Sequence, residues 1–335
     1  MRRFSVPLRL AATAALAVAV ARCHEPTAPA NEARASTITA ADIGRWVALL
    51  AADSMRGRET PSAEIEQAAS TIGAYFESLG LQPAFPGGSY IQHYGTPAWG
   101  AVPAGLAPNA AAVLEGSDPR LRDEYVVVIA HMDGKGVRTP VGGDSIYNGA
   151  DDNASGTAAV LEMAEAFAGA EPRPRRSLLF LAVSGEEHGF WGTLAYLSAP
   201  TVPVANIVAV LNFDMISRNN PDSVFASGMD GSTLGDRLLD IAAAHGEERL
   251  HLVPGPTGGS DHVPFWQRGI PFVMFFAGLH PDYHTPFGEP SRIDADKAAR
   301  VTPMAFYLAL AVADGDGRPQ WKPGWPAPPA TPDVH

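Results

Sequence analysis

Two rhythms of apolar residues divide this chain. At 42–50, 64–79, 154–168, 190–197, 233–245 and 294–312 apolar side chains recur every third or fourth position, the spacing that lines one face of a helix. At 125–130 (YVVVIA), 177–183 (SLLFLAV), 207–213 (IVAVLNF) and 271–276 (PFVMFF) they run unbroken for the length of a strand. Such runs have no polar face to offer water, so these strands are covered on both sides. Alternating with helices, they predict an α/β fold of three layers, a mostly parallel mixed sheet with helices on both faces. Gly80 stops the second helix. Residues 53–61 and 134–149 read as polar loops, and 83–108, full of Gly and Pro, as irregular chain with a short strand near Tyr90, Ile91 and Tyr94. No internal repeat stands out.

The beginning of the chain follows another pattern. Arg2, Arg3 and Arg9 flank or precede an apolar stretch at 10–20, too short to span a bilayer as a helix, and Ala19-Val20-Ala21 supplies a small-x-small cleavage site. Residues 1–22 therefore read as a signal peptide, with an exported, periplasmic or extracellular mature protein. Cys23, the only cysteine, offers a rival reading in which it is lipidated and tethers the chain to a membrane; Val20-Ala21 suits that motif and Arg22 does not. Neither reading leaves a second cysteine for an intrachain disulfide, so core packing must hold the fold, to which a bound metal can add. Residues 23–37 read as a disordered linker, 38–314 as a single domain and 315–335 as a mobile Pro-rich tail.

Composition narrows the classes. A chain of 335 residues with 46% hydrophobic and 18% charged residues suits a globular protein with a large core. Its 24 basic and 36 acidic residues leave a net charge of −12, which argues against a nucleic-acid partner and provides no basic patch for anionic membranes.

Acids and histidines cluster where the apolar runs stop: His131-x-Asp133, Glu186-Glu187 and Asp214 follow strands, while Asp151-Asp152 and His284 sit in polar segments. In a parallel sheet the strand ends open on one edge, where ligands gather. Singly, each feature is weak. A histidine after a strand is more often structural, adjacent acids more often a solvated turn, and a lone aspartate a helix cap. Jointly they bring several carboxylates to one edge, an arrangement that is destabilising without a cation. Oxygen and imidazole donors with no cysteine among them describe a metal-dependent hydrolytic site.

The strings AHMDG (130–134), GADDNASG (149–156), SGEEHGFWGT (184–193), NFDMISR (212–218), SDHVPF (260–265) and DYHTPFGE (282–289) resemble, in order, the M28 zinc peptidases of the secreted aminopeptidase group. The upstream ADSMRGRETP and SLGLQP resemble bacterial members too. The resemblance implies the zinc-exopeptidase (phosphorylase/hydrolase-like) fold and two Zn²⁺ ions, with other divalent ions able to replace them. It implies that Asp152 bridges the ions, that Glu187 and His284 complete one ligand set, and that His131 and Asp214 complete the other. Glu186 is then the general base that deprotonates the attacking water and protonates the leaving amine. Asp133, two residues past His131, is placed to orient that imidazole, and Asp151 to shape the turn. A cis peptide between Asp152 and Asn153 is implied as well.

Ser260-Asp261-His262 is no serine triad, because contiguous residues cannot form that geometry and no G-x-S-x-G elbow is present. Asp261, His262, Tyr283 and Arg218 are the candidates for the substrate pocket. Some relatives carry a tyrosine where Thr257 stands, which leaves oxyanion stabilisation to another group such as Tyr283. His188 reads as a surface or helix-start residue. The expected activity is removal of N-terminal residues from peptides. The alternatives are a carboxypeptidase anchored through Arg218, a glutaminyl cyclase of the same fold, and a non-catalytic receptor-like module.

Overall fold

The computed structural model describes residues 28–245, 250–255 and 258–325; the signal segment, Cys23 and Thr257 lie outside them. In chain order the strands are β1 (Gln82–Pro83), β2 (Ile91–Thr96), β3 (Gly105–Leu114), β4 (Tyr125–His131), β5 (Gly136–Val141), β6 (Asp144–Tyr147), β7 (Ser177–Val183), β8 (Ile207–Phe213), β9 (Ser223–Ser227), β10 (His251–Val253) and β11 (Phe272–Phe276). The helices are α1 (Ala28–Ala35), α2 (Ala40–Leu50), α3 (Ala63–Ser78), α4 (Gly156–Ala168), α5 (Trp191–Ser198), α6 (Thr233–Ala244), α7 (His262–Trp266) and α8 (Ala295–Asp314).

The four apolar runs are β7, β4, β8 and β11, side by side and parallel in the middle of a nine-stranded sheet ordered β1-β3-β7-β4-β8-β11-β9-β10, with β2 also on β3. Every residue of β7 and β8 is buried, as unbroken apolar strands between two helical layers must be. Helices α1, α2, α3, α4, α6 and α8 pack over one face and α5 and α7 over the other, each face with its own apolar core. Side-chain caps start several helices: Ser62 accepts from the Ile65 N–H at 3.1 Å, and Asp294 from the Lys297 N–H at 2.8 Å. Among the described residues no helix is long and apolar enough to cross a membrane.

Some local expectations are corrected. β3 lies against β7 in the heart of the sheet, antiparallel to it, although its Ala110, Ala111 and Ala112 and its Pro108 give it no strand-like composition. The 134–149 loop contains a β5–β6 hairpin. Residues 28–35, expected in a linker, form α1, whose Arg34 donates to the Glu171 carbonyl at 2.7 Å. Residues 315–325, expected to be mobile, pack back onto the body. There Thr233 donates to the Gln320 carbonyl at 3.0 Å, and the Trp321 ring lies against Trp266, Phe272 and Trp325.

Candidate metal centre

Parallel strands deliver the donors. β4 ends on His131, β7 runs through Ser184 and Gly185 into Glu186 and Glu187, and β8 passes into Asp214, so all open on one edge. Asp152 comes from the turn that starts α4, and His284 from the loop after β11. Hydrogen bonds lock these segments to one another. Asn153, fully buried, donates to the Phe213 carbonyl at 2.9 Å and accepts from the Gly156 and Met215 N–H groups at 2.9 and 3.2 Å. Thr157 donates to the His131 carbonyl at 2.8 Å. The turn tightens at Gly149, with φ of 63°, where an added Cβ would stand 2.3 Å from the Asp152 carbonyl oxygen. The peptide between Asp152 and Asn153 is cis, as the resemblance implies.

The result is two donor trios that share one aspartate: His131, Asp152 and Asp214, and Asp152, Glu187 and His284, each with its donor atoms within 4.8 Å of one another. His131 Nε2 lies 3.5 Å from both Asp152 Oδ1 and Asp214 Oδ1. His284 Nε2 lies 3.0 Å from Asp152 Oδ2 and 3.2 Å from Glu187 Oε2. Glu186 belongs to neither trio, and its Oε2 stands 4.0 Å from His131 Nε2.

This much negative charge out of water sets the titration behaviour. Burial pushes Glu186 well above the usual carboxylate range, against the pull of His131. Burial and Glu187 raise Asp152 to about 6. Burial opposes the charged form of His131, yet Asp214 and Glu186 outweigh it and hold the imidazole well above its ordinary value. His284, also opposed by burial, is raised to about 9 by Asp152 and Glu187. Burial likewise works against the Glu187 carboxylate, but the His284 imidazole 3.2 Å away brings it down to about 2. The cluster wants positive charge. Buried atoms that lack a hydrogen-bond partner point the same way: both ring nitrogens of His131, Nε2 of His284, Oε1 of Glu187 and Oδ1 of Asp214. An oxygen and imidazole donor set of this kind fits zinc and similar divalent cations.

The remaining candidates divide. Asp133 Oδ1 lies 3.5 Å from His131 Nδ1 and accepts from the Glu186 N–H at 3.3 Å, so it touches both the imidazole and the segment carrying Glu186. The Tyr283 ring stacks on His284 with centroids 3.7 Å apart, and burial raises its hydroxyl pKa. Asp151 turns away from the trios and accepts from the Ser217 N–H and hydroxyl at 2.8 and 2.6 Å. Three expectations need correcting. Asp261 and His262 are fully buried and present no surface to a peptide: Asp261 accepts from Thr193 Oγ1, and His262 packs on Phe272. Arg218 is committed to Asp282 at 2.7 Å. His188 is buried and stacked on Trp191. Sequence reasoning passed over Lys135, whose Nζ lies 2.5 Å from Glu187 Oε2, and His280, whose Nε2 lies 3.3 Å from Asp151 Oδ2. No spacing signal marks either.

The profile of peptidase family M28 matches residues 109–309. Aminopeptidase YwaD of Bacillus subtilis is 31% identical over 176 residues, 48% of this chain and 38% of that protein. The LapA aminopeptidase of Legionella pneumophila superposes with a TM-score of 0.67 at 18% identity, covering 86% of this chain and 76% of that one. A glutaminyl cyclase of Porphyromonas gingivalis gives a TM-score of 0.66 at 18% identity, covering 81% and 97%. The matches to curated relatives span 31%, 63% and 38% of the lengths of three of them.

Proposed function

The chain belongs to peptidase family M28, and from that premise we propose that it is a two-cation exopeptidase acting on the N-terminal residue of peptides. The observation that carries this reading is the pair of donor trios joined through Asp152, with the spare carboxylate of Glu186 beside them. His131, Asp152 and Asp214 would hold one cation and Asp152, Glu187 and His284 the other, zinc being the ion that relatives' names carry. When bound, the cations would polarise the scissile carbonyl and acidify the attacking water.

The chain's own groups do the rest. Glu186 takes one proton from the attacking water as its oxygen bonds to the carbonyl carbon. It then delivers that proton to the amine nitrogen as the C–N bond breaks. Asp133 keeps the His131 imidazole and the Glu186 backbone in register. Tyr283 offers its hydroxyl to the carbonyl oxygen as negative charge builds there.

The direction rests on relatives named as aminopeptidases and on the pairing of nearby cationic side chains. A carboxypeptidase needs a cation for the substrate carboxylate, and the nearby arginines are engaged: Arg218 with Asp282 and Arg138 with Glu59. A cyclase with one zinc would leave the His131–Asp214 pair without purpose. We further assign residues 38–314 to one catalytic domain and the leader to export.

The test uses purified protein, elemental analysis and a matched set of peptides. We expect about two cations per chain and cleavage of free-amine and C-amidated peptides, with N-acetylated peptide resistant. Cleavage of the N-acetylated but not the C-amidated peptide would overturn the direction, and one cation per chain the dinuclear reading.

A further inference from the structure

The segment Gly57–Arg58–Glu59–Thr60 lies outside the donor set yet touches three of the segments that feed it, those carrying His131, Asp152 and Glu186. Arg58 is fully buried. Its Nε donates to the Met132 carbonyl at 2.9 Å, directly after His131. Its Nη1 donates to the Asn148 carbonyl at 2.8 Å and to the Leu50 carbonyl, and its Nη2 donates to the Gly149 carbonyl at 3.0 Å, in the turn leading to Asp152. The Arg58 carbonyl accepts from the Gly134 N–H at 3.3 Å. Two residues on, Thr60 Oγ1 accepts from the Gly185 N–H at 3.1 Å, immediately before Glu186.

The approach is close. At Gly57, φ 70°, an added Cβ would lie 2.5 Å from the Tyr147 carbonyl oxygen and 2.7 Å from that of Gly136. Arg56 and Arg58 also have positive φ, 46° and 48°, which non-glycine residues adopt only where their surroundings compel it. A planar guanidinium with five N–H donors can span acceptors on three segments; an ammonium cannot.

We propose that Arg58 and Thr60 are positioning residues that set the spacing between the His131, Asp152 and Glu186 loops. This assignment rests on the two-cation reading of those loops. It predicts that the strap governs cation affinity and turnover rather than substrate affinity.

The experiment compares wild type, Arg58→Lys, Thr60→Val and the control Arg56→Lys, whose side chain reaches outward to Glu64 at 3.5 Å. Each is titrated with Co²⁺ by visible absorption and assayed with leucine p-nitroanilide, and its thermal unfolding is recorded. Arg58→Lys should weaken Co²⁺ binding by about 10–100-fold, as loss of outer support does in metal sites. Thr60→Val should lower kcat by about tenfold with KM within about twofold, and the control should match wild type. If Arg58→Lys fails to fold, Thr60→Val decides. Variants that lose thermal stability yet keep wild-type Co²⁺ affinity and kcat would overturn the strap. A wild type that takes up no cation would overturn the function itself, and the strap with it.

Discussion

Asp151 stands next to the proposed bridging ligand but belongs to neither donor trio, and replacing it separates a structural carboxylate from a ligand. Only 2% exposed, it accepts at Oδ1 from the Ser217 N–H, the Ser217 hydroxyl and the Ser155 hydroxyl, at 2.8, 2.6 and 3.2 Å. In Asp151→Ala the Ser155 hydroxyl keeps its bond to the residue 151 carbonyl at 2.7 Å, while both Ser217 donors lose their acceptor. Each buried donor left unsatisfied costs about 1–3 kcal/mol, so the variant should lose about 4 kcal/mol. With an unfolding entropy of about 2.1 cal/mol/K per residue over 335 residues, each kcal/mol is worth about 1.4 °C, and the unfolding temperature should fall by about 6 °C.

Asp151→Asn keeps an oxygen for Ser217 and loses the charge assistance there and the carboxylate oxygen that faces His280. That should cost about 1–2 kcal/mol, or about 2 °C. Thermal unfolding followed by circular dichroism, with elemental analysis of the same samples, reads both effects. Each variant should carry the wild-type complement of cations. An Asp151→Asn protein that unfolds at the wild-type temperature but has lost a cation would refute the reasoning and make Asp151 a ligand.

Two further outcomes follow from the same structure. Glu186→Gln should keep the bound cations and lower kcat by about 10²–10⁴-fold, and a variant with wild-type kcat removes the base assignment. Glu162, on α4 and almost wholly buried with Oε1 unpartnered, is pushed up to about 8 by burial, Asp42 and Glu165, against Trp46 and Arg45. Its folded pKa exceeds the ordinary 4.5, so its contribution to stability is full below that value and is lost as pH rises through about 8. Chemical denaturation should therefore show wild type losing stability relative to Glu162→Gln across that window. Parallel profiles would place Glu162 in an ordinary carboxylate environment.

What could be read in the chain, and what could not, divides by the kind of partner each residue has. β4, β7, β8 and β11 are legible because burial on both faces leaves a mark in composition that needs no knowledge of neighbours. His131, Glu186, Glu187 and Asp214 are legible for a related reason, since parallel topology alone brings strand ends together. β3 is not: its buried Asn109 is accommodated by the Gly192 carbonyl at 2.8 Å and the Ser184 N–H at 3.1 Å, partners that only the folded chain supplies.

Charged residues fail in the same way. Arg218 reads as a free anchor until Asp282, 64 positions later, is seen to occupy it. Asp261 reads as a cleft acid until α7 and Thr193 enclose it. Arg58 is the extreme case, because it serves backbone carbonyls 74 and 90 positions away. Every residue has a carbonyl, so no choice of side chain at 132 or 148 announces that an arginine needs it. A donor set proposed to hold cations must offer particular atoms and shows in the sequence. The strap that spaces such a set asks only for main chain: the string ADSMRGRETP marks its segment by resemblance, and only the folded chain shows which carbonyls Arg58 serves.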